Sequence, residues 1–488
     1  MSNESLKSIT LHALSWSFTE AIGLQLVKFV IGILLARLLF PEQFGLIAML
    51  SVFIAVANAF IESGFGAALI QKREATQADL CSIFYFNIAV GLAASGILYM
   101  SAPFIATFYG QPTLTPIARA MSLIIALNSF GLIQGTILAK QIDFKTQAKV
   151  SLLSGGLSGL LGIALAIAGY GVWSLVAQQV SLSFFQTVFL WLFNPWRPSF
   201  LFSVQSLRDM FGFGSRLLAS GLLNQVFDNL YYVVIGRLFS AGPLGFFTCA
   251  MALAELPSRT LSGMVARVTF PVFSAIQDDP VRLKICLRKA LTFLVLVNSP
   301  VMIGMAVIAH PLVLVLLTEK WVACVPYLQL LCVMGLLYPL HLMNLNVLQA
   351  LGRSDLFLRL EIIKKVLIVI NIAVTWQYGI AVMIYGMIVF SGICYFLNSC
   401  YTGVLLRYPI GEQLRDMIAY LILAGVMGGV VFLAGLFPFP NPLAAFIVQI
   451  IIGILVYACL CRMFRLEAFM NAVEGCRTKA WLKGTTFV

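Results

Sequence analysis

The chain has 488 residues, 61% of them hydrophobic and only 10% charged, with mean hydropathy +0.98 and formal net charge +12. Soluble domains are about a quarter charged, so this composition excludes a soluble globular protein. It predicts an all-α polytopic membrane protein, and the basic excess must be explained within that class.

Apolar runs of about 20 residues, the length that crosses a bilayer as a helix, predict about 14 transmembrane helices. They fall near 14–39, 43–69, 80–106, 114–139, 149–169, 171–194, 209–239, 243–275, 288–309, 322–350, 359–377, 379–402, 413–436 and 440–463. The N-terminus lacks a basic-then-apolar-then-cleavage pattern, so the first helix is expected to be retained. The run after Pro311 is too short to span. Ala102-Pro103 and His310-Pro311 are expected to end helices three and nine.

The first run, WSFTEAIGLQLVKFVIGILLARLL, carries Glu20 and Lys28. Lys28 lies about 15 Å from the end of its helix at 1.5 Å per residue, near mid-bilayer. An ionisable group there costs about 2.5–3.5 kcal/mol unless it faces protein or water. This helix is therefore expected to line a polar interior.

A second copy follows at a shift of 200 positions. Arg37 and Gly45, in Ala36-Arg37-Leu38-Leu39 and Phe44-Gly45-Leu46, return as Arg237 and Gly245 in Gly236-Arg237-Leu238-Phe239 and Leu244-Gly245-Phe246. The shift places Lys28 on Asp228. Such a period suits the halves of a transporter. An even number of helices separates the copies, so a pseudo-twofold axis along the membrane normal is expected. The predicted divisions are a six-helix bundle over 1–195, a linker over 196–208, a second six-helix bundle over 209–402, two extra helices over 413–463, and a cytoplasmic tail over 464–488.

The Lys and Arg residues sort by loop. One side holds most of them, including Lys72, Lys140, Lys145, Lys149, Arg282, Lys284, Arg288 and Lys289. The other holds Arg37, Arg119, Arg237 and Lys320. This bias predicts both termini in the cytoplasm and makes the positive charge a matter of topology, not of nucleic-acid binding. The outer loops are too short for a folded catalytic domain.

Charges inside the later spans complete the candidate lining. Helix seven carries Arg216, Asn224, Asp228 and Asn229, and helix eight carries Glu255 and Arg259 flanking Pro257. By residue spacing, Lys28, Asp228 and Glu255 sit at similar depth, with Glu20, Arg216 and Arg259 nearer the inner half and Glu62 at the inner mouth. Intramembrane charges mark pathways, although Glu255 and Arg259 also suit a self-neutralising pair. Arg267 is read as snorkelling to headgroups, and His341 as a packing residue rather than a proton relay. Gly155, Gly156, Gly159, Gly425, Gly428 and Gly429 are read as helix-packing positions. The ten Cys residues form no metal or disulfide pattern. No nucleotide-binding loop and no catalytic set is present, so no cofactor is expected and the chain is not read as an enzyme.

Several stretches resemble the Wzx-type polysaccharide transporter family of the multidrug/oligosaccharidyl-lipid/polysaccharide flippase superfamily, and among its members the colanic acid and lipopolysaccharide exporters. They are ARLLFPEQFGLIAM (36–49), ESGFGAALIQKREATQADL (62–80), GYGVWSLVAQQ (169–179), NPWRPSF (194–200), DNLYYVVIGRLF (228–239), RVTFPVFSAIQDDP (267–280) and EKWVACVPYLQLL (319–331). The resemblance implies two bundles around a cavity lined by helices one, two, seven and eight. It also implies passage of an undecaprenyl-diphosphate-linked oligosaccharide from the cytoplasmic to the periplasmic leaflet of the bacterial inner membrane. Membrane lipids and the polysaccharide polymerase machinery are the other partners expected. In that reading Lys28, Arg216 and Arg259 bind the diphosphate, because paired cationic donors replace the water it loses. Glu20, Asp228 and Glu255 would hold these cations in the empty site or exchange an ion. A drug or metabolite antiporter of the same superfamily is the alternative, with a cavity favouring carboxylates over cations. A membrane-embedded glycan polymerase or ligase is a further one, which the short outer loops oppose.

Overall fold

A computed structural model describes residue 23 and residues 25–62, 64–72 and 74–471. No strand occurs among them. Among the described residues, ten helical segments, with Pro41–Gln71 counted as one, are long and apolar enough to cross a membrane. The chain divides into two compact units, Met1–Thr248 and Cys249–Val488.

In the first unit the helices are α1 (25–38), α2 (Pro41–Glu62), α3 (Phe65–Gln71), α4 (Gln77–Tyr109), α5 (Leu114–Lys140), α6 (Phe144–Ile167), α7 (Val172–Phe193), α8 (Val204–Asp228) and α9 (Leu230–Phe239). The start of α10 (Ala241–Ala275) also belongs to it. In the second unit are the rest of α10, then α11 (Pro280–Val307), α12 (Ala309–Leu316), α13 (Val325–Ala350), α14 (Ser354–Thr375), α15 (Ile380–Leu406), α16 (Ile410–Gly435) and α17 (Pro442–Met463). A 3₁₀ turn, Glu319–Cys324, precedes α13.

Three expectations need correction. The predicted second helix is interrupted after Glu62, because Gly64 takes a left-handed backbone (φ 69°) before α3 begins. A Cβ there would come within 2.5 Å of the Gly214 carbonyl, so only glycine fits both the turn and the approach of α8. The predicted seventh helix is likewise two helices, broken at Asn229. Pro103 does not end its helix: α4 continues to Tyr109, where Gly110 (φ 65°) closes it.

In the first unit α4 packs on α5, and α6 and α5 both pack on α7. Gly91 admits Ser129 at the α4–α5 crossing, where a Cβ would lie 2.3 Å from the serine Cβ. Of the glycines expected to pack helices, Gly159 meets Ile31 and Gly428 meets Ile303, whereas Gly156, Gly425 and Gly429 face open space and Gly155 lines a cavity.

The 200-residue shift reappears as a reciprocal contact within the first unit. A Cβ on Gly45 would lie 1.8 Å from the Ala241 carbonyl oxygen, and one on Gly245 would lie 1.9 Å from that of Pro41. Each partner is its counterpart plus 200. The first turns of α2 and α10 thus touch backbone to backbone, which requires glycine at both positions.

The start of α4 is pinned by a capping box. Thr76 Oγ1 accepts from the Asp79 amide (3.2 Å) and Asp79 Oδ2 accepts from the Thr76 amide (2.9 Å). Lys72 Nζ donates to the same carboxylate at 2.6 Å, and Asp79 is buried. Asp79→Ala removes the cap and the ion pair together and is expected to cost about 2 kcal/mol. Asp79→Asn, which keeps an acceptor, should cost less. Melting of the purified protein in detergent reads both.

In the second unit, α11 packs on α13 and α16, α15 packs on α13, and α17 packs on α16 and α12. α16 and α17 are therefore integral to this unit. Buried Gln413 ties α16 in: its Oε1 accepts from Tyr395 OH (3.1 Å) and its Nε2 donates to Thr402 Oγ1 (3.2 Å) and the Tyr408 carbonyl (3.0 Å). His341 bonds Ser391 Oγ at 2.8 Å and meets Tyr395 edge to face, a satisfied packing residue.

Candidate functional site

A cavity of about 660 Å³ opens in the first unit between α1, α2, α6, α7 and the α8–α9 junction. One wall is apolar. Leu35, Leu39, Ala166 and Leu175 form a core cluster against which Ile31, Phe44 and Ile47 pack. Several of these side chains face the hollow. The polar part of the lining is Ser51, Asn58, Gln178, Gln179 and Asn229. Lys28 is the only charged side chain on the wall among the described residues, and it is exposed. No ion pair to it is formed among those residues.

Helix packing explains why these groups converge. On α6, Gly155 and Gly162 are seven residues apart and share a face. Gly155 leaves space in the cavity, and Gly162 lets α7 approach until a Cβ there would sit 2.7 Å from Gln178 Cβ. That approach carries Gln178 and Gln179 to the wall.

The break at Asn229 supplies the rest. Its amide nitrogen donates to the Gln225 carbonyl at 2.8 Å, satisfying a group at the end of α8. Its Oδ1 accepts from Ser51 Oγ at 3.3 Å, which fastens the break to α2. Interrupted backbone within a span is tolerated where it lines a cavity or is buried in protein, and Asn229 lines this one.

The sequence-derived candidates are distributed as follows. Lys28 lines the cavity. Asp228 is exposed at the last position of α8, directly before the break. Arg216 is exposed on α8 and does not line the Lys28 cavity, nor a second cavity that its neighbours Leu217 and Leu218 line together with Glu62. In the second unit, Arg259 Nη2 and Glu255 Oε1 pair at 2.7 Å across Pro257, with the Arg259 side chain 60% exposed. The guanidinium also lies 5.8 Å from the Tyr338 ring centroid. This pair matches the self-neutralising alternative and leaves the guanidinium accessible. Glu20 falls outside the described residues.

Of the wall amides, sequence reasoning that followed formal charge named Asn229 but missed Asn58, Gln178 and Gln179. Their signal was present: Asn58, Gln178, Gln179 and Asn229 are uncharged polar groups inside spans, where each needs a partner or water.

Comparison with known proteins places this geometry. The profile of the family described as "Polysaccharide biosynthesis protein" matches residues 34–326. The chain is 30% identical over 340 residues to the teichuronic acid biosynthesis protein TuaB of Bacillus subtilis (strain 168), covering 69% of this chain and 67% of that protein. It is 27% identical over 387 residues to the lipopolysaccharide biosynthesis protein WzxC of Escherichia coli (strain K12), covering 78% and 77%. Its fold matches the lipid II flippase MurJ in an inward closed conformation with a TM-score of 0.74 at 15% identity, over 93% of this chain and 98% of that one. The chain is a multi-pass membrane protein of the polysaccharide biosynthesis protein family, as its resemblance to Wzx-type polysaccharide transporters implies.

Proposed function

We propose that the protein is a flippase that moves an undecaprenyl-diphosphate-linked oligosaccharide from the cytoplasmic to the periplasmic leaflet by alternating access. The observation that carries this is the cavity beside a broken span that holds, among the described residues, one cation and four side-chain amides. A diphosphate needs a cation and donors to replace its water, and the sugar needs neutral hydrogen-bonding groups. The polyprenyl tail stays in the lipid. The relatives' names point the same way: they are proteins of teichuronic acid and lipopolysaccharide biosynthesis, and the structural neighbour is a lipid II flippase.

Lys28 is the diphosphate's first contact in this reading, with Arg216 and Arg259 as further cations. Glu20, Asp228 and Glu255 balance them in the empty state or couple an ion, and Glu62 marks the inner mouth. The finer architecture belongs to the same proposal: 14 spans, bundles over 1–195 and 209–402, a linker at 196–208, two added helices within 413–463, and both termini in the cytoplasm of a bacterial cell with the chain in its inner membrane. The transported glycan would then meet the polymerase machinery outside. The chain needs no catalytic step of its own. The antiporter alternative suits a cavity lined by carboxylates, and the Lys28 cavity has none among the described residues.

Removing the chain from its cell tests the function. Lipid-linked glycan should accumulate in the cytoplasmic leaflet, measured by its resistance to periodate added outside intact spheroplasts. Unchanged leaflet distribution together with unchanged surface polysaccharide refutes the proposal.

A further inference from the structure

The second cavity of the first unit, about 690 Å³, lies between α2, α3, α5, α7 and α8. That volume is within the range of about 300–1,000 Å³ typical of small-ligand sites. Its wall combines carboxamides, very small residues and aliphatic side chains such as Ile70 and Leu217, and Glu62 is its only charged side chain among the described residues. Asn128 Nδ2 donates to Asn58 Oδ1 at 3.1 Å. This leaves Asn58 Nδ2 as donor and Asn128 Oδ1 as acceptor with no protein partner among the described residues. The side-chain amides of Gln186 and Gln225 are equally uncommitted there, and both line the same space. Gly135 and Gly221 face it with nothing within 4 Å of an added Cβ, so the room is real at those positions.

Uncommitted amides suit one kind of ligand. A carboxamide offers two donors and an acceptor in one plane, which matches sugar hydroxyls that both give and take hydrogen bonds. It does so without the desolvation cost of a charge. An anion finds no cation on this wall. The repeat sharpens the point. The 200-residue shift carries Asn58 to Ser258 and Glu62 to Ser262. In the second unit that corner is filled. Ser258 Oγ donates to Asn298 Oδ1 at 2.8 Å, Asn298 Nδ2 donates to the Gly335 carbonyl at 3.0 Å, and Ser258, Asn298 and Ser262 are all buried. One copy of the repeat has closed this position and the other has kept it open and polar.

We infer that the cavity beneath Asn58 and Asn128 is a subsite for an uncharged sugar ring of the lipid-linked glycan, held by Asn58, Asn128, Gln186 and Gln225. The inference rests on the transport reading above and names which part of the ligand goes where. Asn58 lines both hollows, so the two adjoin at that residue. The anionic end lies toward Lys28 and the sugar nearest it lies toward Asn128.

Two lipids and two variants test this. The full chain in nanodiscs is titrated with bare undecaprenyl diphosphate and with undecaprenyl-diphosphate-linked glucose. The native chain should bind the glucosylated carrier about tenfold more tightly than the bare one, a difference of about 1.4 kcal/mol. Asn128→Leu removes the paired amide. Gly135→Leu fills the space from a position where the new side chain meets no neighbour at its Cβ. Both should bring the ratio close to one and leave the affinity for the bare carrier unchanged. A native ratio near one, or a ratio preserved in both variants, overturns the subsite while leaving carrier binding intact. Failure of the native chain to bind either lipid overturns the transport reading as well.

Discussion

Gly45→Ala and Gly245→Ala are each expected to disrupt assembly of the protein, and to similar degrees. At both sites the added methyl group would lie under 2 Å from a carbonyl oxygen of the opposing helix. The obstacle is backbone, so no rotamer change relieves it, and the first turns of α2 and α10 must separate. Overpacking of a flexible core costs about 1–3 kcal/mol; a rigid crossing should cost more. Gly156→Ala and Gly425→Ala serve as controls, because a Cβ there meets nothing within 4 Å. Fluorescence-detected size exclusion after heating distinguishes the two pairs. Normal behaviour of either Gly45→Ala or Gly245→Ala would show that the reciprocal crossing is not as described.

Lys28→Ala should abolish most transport while leaving the fold intact. The side chain is exposed on the cavity wall, and among the described residues no carboxylate there depends on it. A hydrogen bond to a charged group contributes about 1.5–3 kcal/mol, so affinity for the diphosphate should fall roughly 10- to 100-fold. Lys28→Arg should retain much of the activity, since charge and donors persist. Lys28→Gln should not, since only the donors persist. Arg259→Ala is expected to have a smaller effect, because the guanidinium is already engaged by Glu255 at 2.7 Å. Export of surface polysaccharide, normalised to protein in the membrane, measures all four. Full export by Lys28→Ala would remove this residue from the site.

These two predictions also mark what the sequence could and could not reveal. The apolar runs were legible because crossing a bilayer demands length and hydrophobicity at once. The repeat was legible because Arg37 and Gly45 recur at one shift, and the crossing at Gly45 and Gly245 gives that recurrence a physical cause. The breaks were not legible. The break at Asn229 is fastened by Ser51, whose hydroxyl donates to its amide oxygen, and the turn at Gly64 sits where α8 passes close by. Both are tertiary conditions that override local helix propensity. Lys28 was legible as an expensive charge, whereas the amides around it carry a weaker signal spread over α2, α7 and α8. Arg216 illustrates the reverse limit: its charge is conspicuous in the sequence, yet it lines neither the Lys28 cavity nor the one beneath Asn128.

The most direct measurement is flipping by the purified chain in proteoliposomes loaded with undecaprenyl-diphosphate-linked glycan on both leaflets. With the native chain, external periodate should oxidise nearly all of the glycan, and with Lys28→Ala only the outer-leaflet half. Oxidation limited to the outer half with the native chain, as in protein-free vesicles, would contradict the assignment of this protein as a glycolipid flippase.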